Sequence, residues 1–586
     1  MLQLIKLIKK KDVILLTAAM AFLIIQILFD LKMPEYMSSI TQLIQDHINA
    51  GDKNDNTVHM IWQNCGHMFI CTLIAMICTV LSGVILMKVS AEYTARLREV
   101  FYNKVQTLNK KDVESITTSS LITRSTVDVV EIGNFITNSF RVIVTAPLTG
   151  VIAISKISSS NGKWTASIAV SIVIMIIVEL VIVNMMLKYF EKRQKVNDEF
   201  NLVVREKLSG LRIIRAFNAS QLHSDKFEKV NSKYTNINLM VGRISLFLSP
   251  FLIFTMSIIS ILIYWIGASI INTSAPPEAN KLFGDMIVFT SYGLMIVGAF
   301  ASASLLFVIV PRAMISVRRI KEVLLKQPMV KEGNGVSSTS ETGTVEFRNV
   351  SFHYDDGEED TLSDISFSVK KGETVAFIGS TGCGKTTLVE MIVRSYDPYK
   401  GEVLVDGVNV REYKKTELIS RIGYASQKAV LFSGDLLSNL AFGDNTDDIA
   451  SIKQKLEIAQ CNDFIDINGS LSEHIAQNGS NLSGGQRQRV AIARALARNA
   501  EIFIFDDCFS ALDLKTEREL REEFKKSHSD STCIIISQRI GTVIDADRII
   551  VMDNGRIVGS GTHTDLISCC PVYREIAETQ LSMEGA

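Results

Sequence analysis

Between Thr374 and Gln538 the sequence carries the residue types of a phosphate-handling site. Thr374–Ile378 reads as a strand running into Gly379-Ser380-Thr381-Gly382-Cys383-Gly384-Lys385-Thr386-Thr387 and then into an apolar helical stretch. Glycines at this spacing let backbone N–H groups turn inward around a β-phosphate, and the helix N-terminus adds partial positive charge. Lys385 is placed to reach the β- and γ-phosphates, and the Thr386 hydroxyl to ligate Mg²⁺. A second apolar strand, Ile502–Phe505, ends in Asp506, whose carboxylate can hold Mg²⁺ through water. Leu482-Ser483-Gly484-Gly485-Gln486 opens another helix, so a hydroxyl and backbone amides face an anion at its N-terminus. The expected ligands are ATP and Mg²⁺.

The elements that position these residues belong to a chain of two compositions, changing near residue 330. The chain has 586 residues, 47% of them hydrophobic. Its mean hydropathy of +0.23 is too high for an ordinary soluble protein of this length. Net charge is -1, so no nucleic-acid partner is expected. The nine cysteines show no metal-ligand spacing, and a reducing cytoplasm argues against a disulfide framework. Six spans are predicted, at 13–33, 63–87, 135–155, 165–187, 247–271 and 285–310, each long enough for roughly 30 Å of hydrocarbon. Met1–Lys11 reads either as an amphipathic helix on the inner membrane face or as a plain basic flank. The segments between spans 2 and 3 and between spans 4 and 5 are long and basic, whereas 34–60 offers only Lys53 and 272–283 only Lys281. The positive-inside rule therefore puts both termini and both long segments in the cytoplasm. The membrane part is expected over 1–326, a polar linker over 327–344, and one α/β domain over 345–586.

Taken in order, these motifs resemble the ABC (ATP-binding cassette) transporter family, and the six-span-plus-one-domain plan resembles a half-transporter of its exporter-type (type IV) fold. The resemblance implies a polytopic α-helical membrane domain, its helices continuing into the cytoplasm, followed by a RecA-like nucleotide domain. It implies that Tyr354 stacks on adenine, against the plainer reading of a buried sheet tyrosine. Gln427 resembles the Q-loop glutamine, within reach of Mg²⁺ or the attacking water, and Ser510-Ala511-Leu512-Asp513 resembles the D-loop. Ser483, Gly484, Gly485 and Gln486 would clamp, in trans, the ATP held by an opposite subunit. Short transverse helices are expected at Ser115–Ser120 and Ser209–Phe217; in the family such helices press on the nucleotide domains.

Two positions depart from the family pattern. Asp507 stands where Glu usually orients or deprotonates the attacking water, and Gln538 where a His usually contacts the γ-phosphate. The altered pair beside an intact signature resembles the degenerate-site subunit of heterodimeric exporters. The implied partner is a second half-transporter with Glu and His at these positions. Two working sites in a homodimer are the plainer alternative. Cargo is expected to be drug-like or lipid-like amphiphiles moved outward across a bacterial plasma membrane. The alternatives are peptide export, siderophore-like import, and an ATP-binding regulatory subunit. Asp30 either attracts cationic cargo or sits at the interface beside Lys32 and Glu35. Cys383, near a helix N-terminus, is expected to have a lowered pKa, and Cys508 to pack.

Overall fold

Long apolar runs interrupted by few helix breakers make the first half of the chain helical, while short β-branched runs bounded by turn residues build sheets in the second. The computed structural model describes residues 7–50, 55–158, 162–272, 276–336, 339, 341–354, 359–442, 449–466 and 471–584. The reading of Met1–Lys11 therefore falls largely outside the described residues. The chain divides into two compact units: Met1–Thr107 with Ile116–Lys326, and Leu108–Ser115 with Gln327–Ala586.

In the first unit, helix Lys10–Ala50 packs along Asp55–Gln106, and Gly162–Ser209 along Ser220–Ile271. At 1.5 Å per residue the 52-residue helix Asp55–Gln106 is about 78 Å long, more than twice a hydrocarbon core, so these helices run far past any bilayer. Among the described residues five helices are long and apolar enough to cross a membrane, and Ala169–Ile182 is a shorter apolar stretch within Gly162–Ser209. The last predicted span lies in helices Pro276–Ser304 and Leu306–Leu325, joined at Leu305, which keeps helical backbone angles (φ -61°, ψ -27°). Buried Trp164 ties two helices together, its indole N–H donating to the Ile263 carbonyl at 3.1 Å. Buried Asp12 pairs with Arg96 at 2.5 Å and accepts from the Lys9 amide, anchoring the start of the first helix.

The segments between predicted spans 2 and 3 and between spans 4 and 5 differ from expectation at the first site. Short helices lie at Lys110–Ile116 and Thr118–Thr123, split at Thr117, whose φ is 70°, rather than as one helix over Ser115–Ser120. Arg124–Asp128 follows as a π-helical turn that buries Asp128 against the Ser316 hydroxyl at 2.7 Å. The second segment carries its short helix at Leu211–Ala216.

The second unit has two main sheets. Val345–Phe352, Leu362–Val369, Lys400–Val405 and Val408–Asn409 form an antiparallel sheet. The six-stranded sheet runs Arg556–Gly561, Arg548–Asp553, Thr374–Gly379, Thr532–Ile536, Ile502–Asp506, Ile422–Ala425, all parallel except the first. Its central strands are buried on both faces, as their continuous apolar runs require. Gln427, Asp507 and Gln538 therefore fall at the carboxyl ends of neighbouring strands, where parallel sheets place ligands.

Leu108–Ser115 departs from the linear division into domains by clustering with this second unit. The Lys110 ammonium meets the Glu390 carboxylate at 2.5 Å, and Asp112 accepts from the Met329 amide at 3.3 Å. Burial alone would lower the Lys110 pKa, but the Glu390 contact outweighs it and raises it. Glu390 lies in helix Lys385–Ile392, directly behind the phosphate loop. Lys110→Ala should leave this buried carboxylate unpaired and cost about 1–3 kcal/mol of domain stability. Lys110→Arg should retain most of it. Thermal unfolding of the full chain reads the difference, and an unchanged melting temperature in Lys110→Ala would count against the contact.

Candidate nucleotide site

The strand Thr374–Gly379 delivers the phosphate loop, and Gly379 can be nothing larger. A Cβ there would sit 2.0 Å from the Met552 carbonyl oxygen on the neighbouring strand. At Gly384, the N-cap of helix Lys385–Ile392, φ is +98° and a Cβ would meet Leu362 Cδ2 at 2.6 Å. Gly382 faces open space. Lys385 is folded back on the loop, its Nζ donating to the carbonyls of Gly379 and Ser380 at 2.8 and 2.7 Å. Ser380 and Thr381 are exposed at the loop tip. Cys383 is buried behind the loop, 3.4 Å from Lys385 Nζ.

Asp506 ends the strand Ile502–Asp506 almost completely buried. Its Oδ1 accepts from the Thr386 hydroxyl at 3.1 Å and its Oδ2 from the Tyr424 hydroxyl at 3.2 Å. Desolvation raises its pKa, partly opposed by these two hydrogen bonds. A desolvated carboxylate beside a hydroxyl is a donor set of hard oxygens, and a divalent cation would relieve its electrostatic cost. The residues present therefore fit Mg²⁺, with Thr386 and Asp506 as its holders and Gln427 nearby.

Asp507 follows with φ +47°, a left-handed conformation that Asp tolerates better than most residues. Its Oδ2 accepts from Gln427 Nε2 at 3.2 Å, so two of the sequence-predicted residues bond each other. Burial raises the Asp507 pKa, opposed first by that Gln427 bond and then by the charges of Lys385 and Arg539. Gln538, exposed after strand Thr532–Ile536, accepts from the Thr381 hydroxyl at 3.2 Å. Tyr354 donates to, or accepts from, the Thr387 hydroxyl at 3.0 Å and packs edge-to-face with Phe352 and Tyr396. These residues from Tyr354 to Gln538 form one cluster in the second unit.

The signature is a well-formed helix start. Ser483 Oγ accepts from the Gln486 amide at 3.2 Å, and Gln486 Oε1 accepts from the Ser483 amide at 2.8 Å, a capping box for helix Gly484–Ala497. Ser483 and Gly484 are exposed.

Several positioning residues escaped the sequence reading. Tyr424 holds Asp506. Gln488, buried on the signature helix, donates to the Ser426 carbonyl at 3.2 Å and so ties that helix to the residue before Gln427. Arg539 donates to the Ser510 and Leu512 carbonyls, fixing the loop Ser510–Asp513. Gln580 donates to the Gln538 carbonyl and accepts from the Ile540 amide, both at 2.8 Å. A polar residue on a buried helix face was a usable signal for Gln488; nothing in the sequence marks Gln580.

The ABC transporter profile matches residues 362–510, and the ABC transporter transmembrane region profile matches residues 16–300. An uncharacterized ABC transporter ATP-binding protein of Mycobacterium tuberculosis is 35% identical over 498 residues, 84% of each chain. The ATP-dependent lipid A-core flippase of Pseudomonas fluorescens is 30% identical over 493 residues, covering 83% of this chain and 80% of its own. The solved structure of a bacterial Atm1-family ABC exporter with ATP bound has the same fold, with a TM-score of 0.80, 20% identity, and coverage of 96% of this chain and 98% of that one. With its apolar membrane helices and its ATP-binding domain, this chain belongs to the ABC transporter family.

Proposed function

We propose that this chain is one half of an ATP-driven exporter of amphipathic, drug-like or lipid-like molecules, and that its own ATP site turns over slowly. The observation that carries the reading is the pairing of Asp507 with Gln427 at 3.2 Å. Asp reaches about 1.5 Å less far than Glu. Here that shorter carboxylate is also turned toward the Gln427 amide, where a water-activating base would be free. A well-placed general base is worth roughly 10²–10⁴-fold in rate, so its misplacement alone accounts for a slow site. Gln538 can hydrogen-bond a γ-phosphate but cannot carry an imidazolium charge.

Tyr354, Lys385 and the amides of Gly379–Thr387 would hold the nucleotide. Mg²⁺, held by Thr386 and Asp506, would offset phosphate charge. Exposed Ser483 and Gly484, with Gly485 and Gln486, would close over the ATP of a partner half-transporter, which supplies Glu and His. The exposed apolar residues Ile213 (65%) and Phe217 (79%) at helix Leu211–Ala216 support a docking role for the second cytoplasmic segment. The lipid A-core flippase relatives support a lipid-like cargo. Two carboxylates within the predicted spans are Asp30, bonded to Gln26 at 3.3 Å, and Glu179, which is buried. Cytoplasmic termini in a bacterial plasma membrane complete the reading.

An isolated preparation can offer its intact signature to a second copy, so its turnover reports Asp507 and Gln538 directly. The wild-type chain should hydrolyse ATP slowly, and Asp507→Glu with Gln538→His should raise the rate by roughly 10²-fold or more. Wild-type turnover equal to that of the double variant would contradict the proposal. In the assembled pair, Ser483→Ala should remove most ATPase activity, whereas Asp507→Asn should change it by less than about twofold. Cys383 gives a separate check: because its thiol lies behind the loop against Lys385 Nζ, alkylation should abolish ATP binding and prior ATP should protect. Labelling that leaves nucleotide affinity unchanged would contradict that placement.

A further inference from the structure

Helix Val129–Ser158, in the first unit, carries a polar stripe on one side. Asn134, Asn138, Arg141 and Thr145 stand at i, i+4, i+7 and i+11. At 3.6 residues per turn they share about 60° of the helix circumference and run about 16 Å along it. Asn134, Asn138 and Arg141 are exposed, and Thr145 is half-buried. The opposite face is already occupied. Ile132, Ser139, Gly150 and Ile157 are buried there, and the helix packs on Lys10–Ala50, Asp55–Gln106 and Pro276–Ser304.

The stripe lies at membrane depth. The segment Thr118–Ser158 that contains it is one of the five long and apolar enough to cross a bilayer, and has the lowest hydropathy of them. Within predicted span 135–155, Arg141 falls about 9 Å from the inner end. Among the described residues Arg141 makes no ion pair, and the Asn134 and Asn138 amides bond no side chain. The one carboxylate on the same side, Glu131, lies about 15 Å along the helix from Arg141, beyond ion-pair reach. A guanidinium and two free amides turned toward hydrocarbon would be left without partners. Polar residues inside membrane spans instead face a bundle interior or a water-filled pathway. What this stripe lacks there is an anion. Arginine offers a fork of N–H donors that matches phosphate or carboxylate oxygens, and the amides and hydroxyl a turn to either side add further donors. A phosphate monoester has more oxygens to meet them than a carboxylate has.

We propose that Asn134, Asn138, Arg141 and Thr145 form a headgroup site for cargo, and that the cargo is an amphiphile with a phosphate headgroup. The inference rests on the reading of the chain as an exporter of amphiphiles, and narrows it to anionic ones. The test uses the purified full-length chain in phosphatidylcholine nanodiscs, with tritiated oleoyl lysophosphatidic acid as probe and empty nanodiscs as the partition control. We expect saturable binding, displaced by unlabelled lysophosphatidic acid, less well by oleate, and not by oleyltrimethylammonium. Arg141→Gln should weaken it at least roughly tenfold, the worth of a hydrogen bond to a charged group. Arg141→Lys, which keeps the charge without the fork, should fall between the two. Lys188→Gln, which removes an exposed cation at the end of another predicted span, should leave the affinity unchanged. Retained ATP binding verifies that each variant is folded. Equal weakening by Lys188→Gln would reduce the effect to general surface charge and overturn the site. Unchanged affinity in Arg141→Gln, whether or not subunit assembly changes, would also overturn it. Oleate as strong as lysophosphatidic acid would overturn the choice of phosphate. Equal displacement by oleyltrimethylammonium would overturn the anionic cargo and leave amphiphile export standing, whereas binding of neither amphiphile would overturn both.

Discussion

The hydrogen bond from Thr386 to Asp506 joins parts of the chain 120 residues apart, and the nucleotide site is organised around it. It forms because Thr374–Gly379 and Ile502–Asp506 both run parallel to Thr532–Ile536, on either side of it, so their carboxyl ends open at the same edge. The phosphate loop then lies beside the buried carboxylate, and Gln427 and Gln538 arrive from flanking strands at the same level. Full burial of the central strands makes that arrangement stiff. A shift of one strand would have to be accommodated by close-packed Phe377, Phe503, Phe505 and their neighbours.

That stiffness gives the departures at 507 and 538 their meaning. At φ +47° the backbone of residue 507 aims its side chain in a fixed direction, and an Asp is among the few residues at ease there. Its carboxylate reaches Gln427, and the site ends up with its acid and its amide satisfied by each other. Gln538 is likewise held, by Thr381 at its side chain and by Gln580 at its backbone. Binding and positioning elements are in place, while the Asp507 carboxylate and the Gln538 amide oxygen are each held by a neighbouring side chain. On the proposed function, such a site would retain nucleotide more than it turns it over.

Much of this was legible in the sequence because the signals are local. A glycine-rich loop between a strand and a helix, and a serine capping box before Gly484-Gly485, are read from adjacent residues. The membrane helices were visible from hydropathy, though the full length of a helix such as Asp55–Gln106 needed coordinates. Long-range pairing was not legible. The first transverse helix begins at Lys110, earlier than the serine-rich stretch suggested, because Asp112 and Lys110 are held by Met329 and Glu390, more than 200 residues away. Tyr424, Arg539 and Gln580 act through hydrogen bonds spanning 27 to 82 residues, and no local pattern announces them. Glu179 sits in an apolar run whose average hides a single carboxylate.

The central claim is that the ATP on this chain's own phosphate loop is kept rather than hydrolysed. It is tested most directly by photolabelling the assembled transporter with radiolabelled 8-azido-ATP during turnover and reading the phosphate state of the nucleotide on the Tyr354 peptide. The account predicts that triphosphate still dominates there after many cycles, while the partner's loop carries mostly diphosphate. Diphosphate accumulating equally on both loops would contradict it.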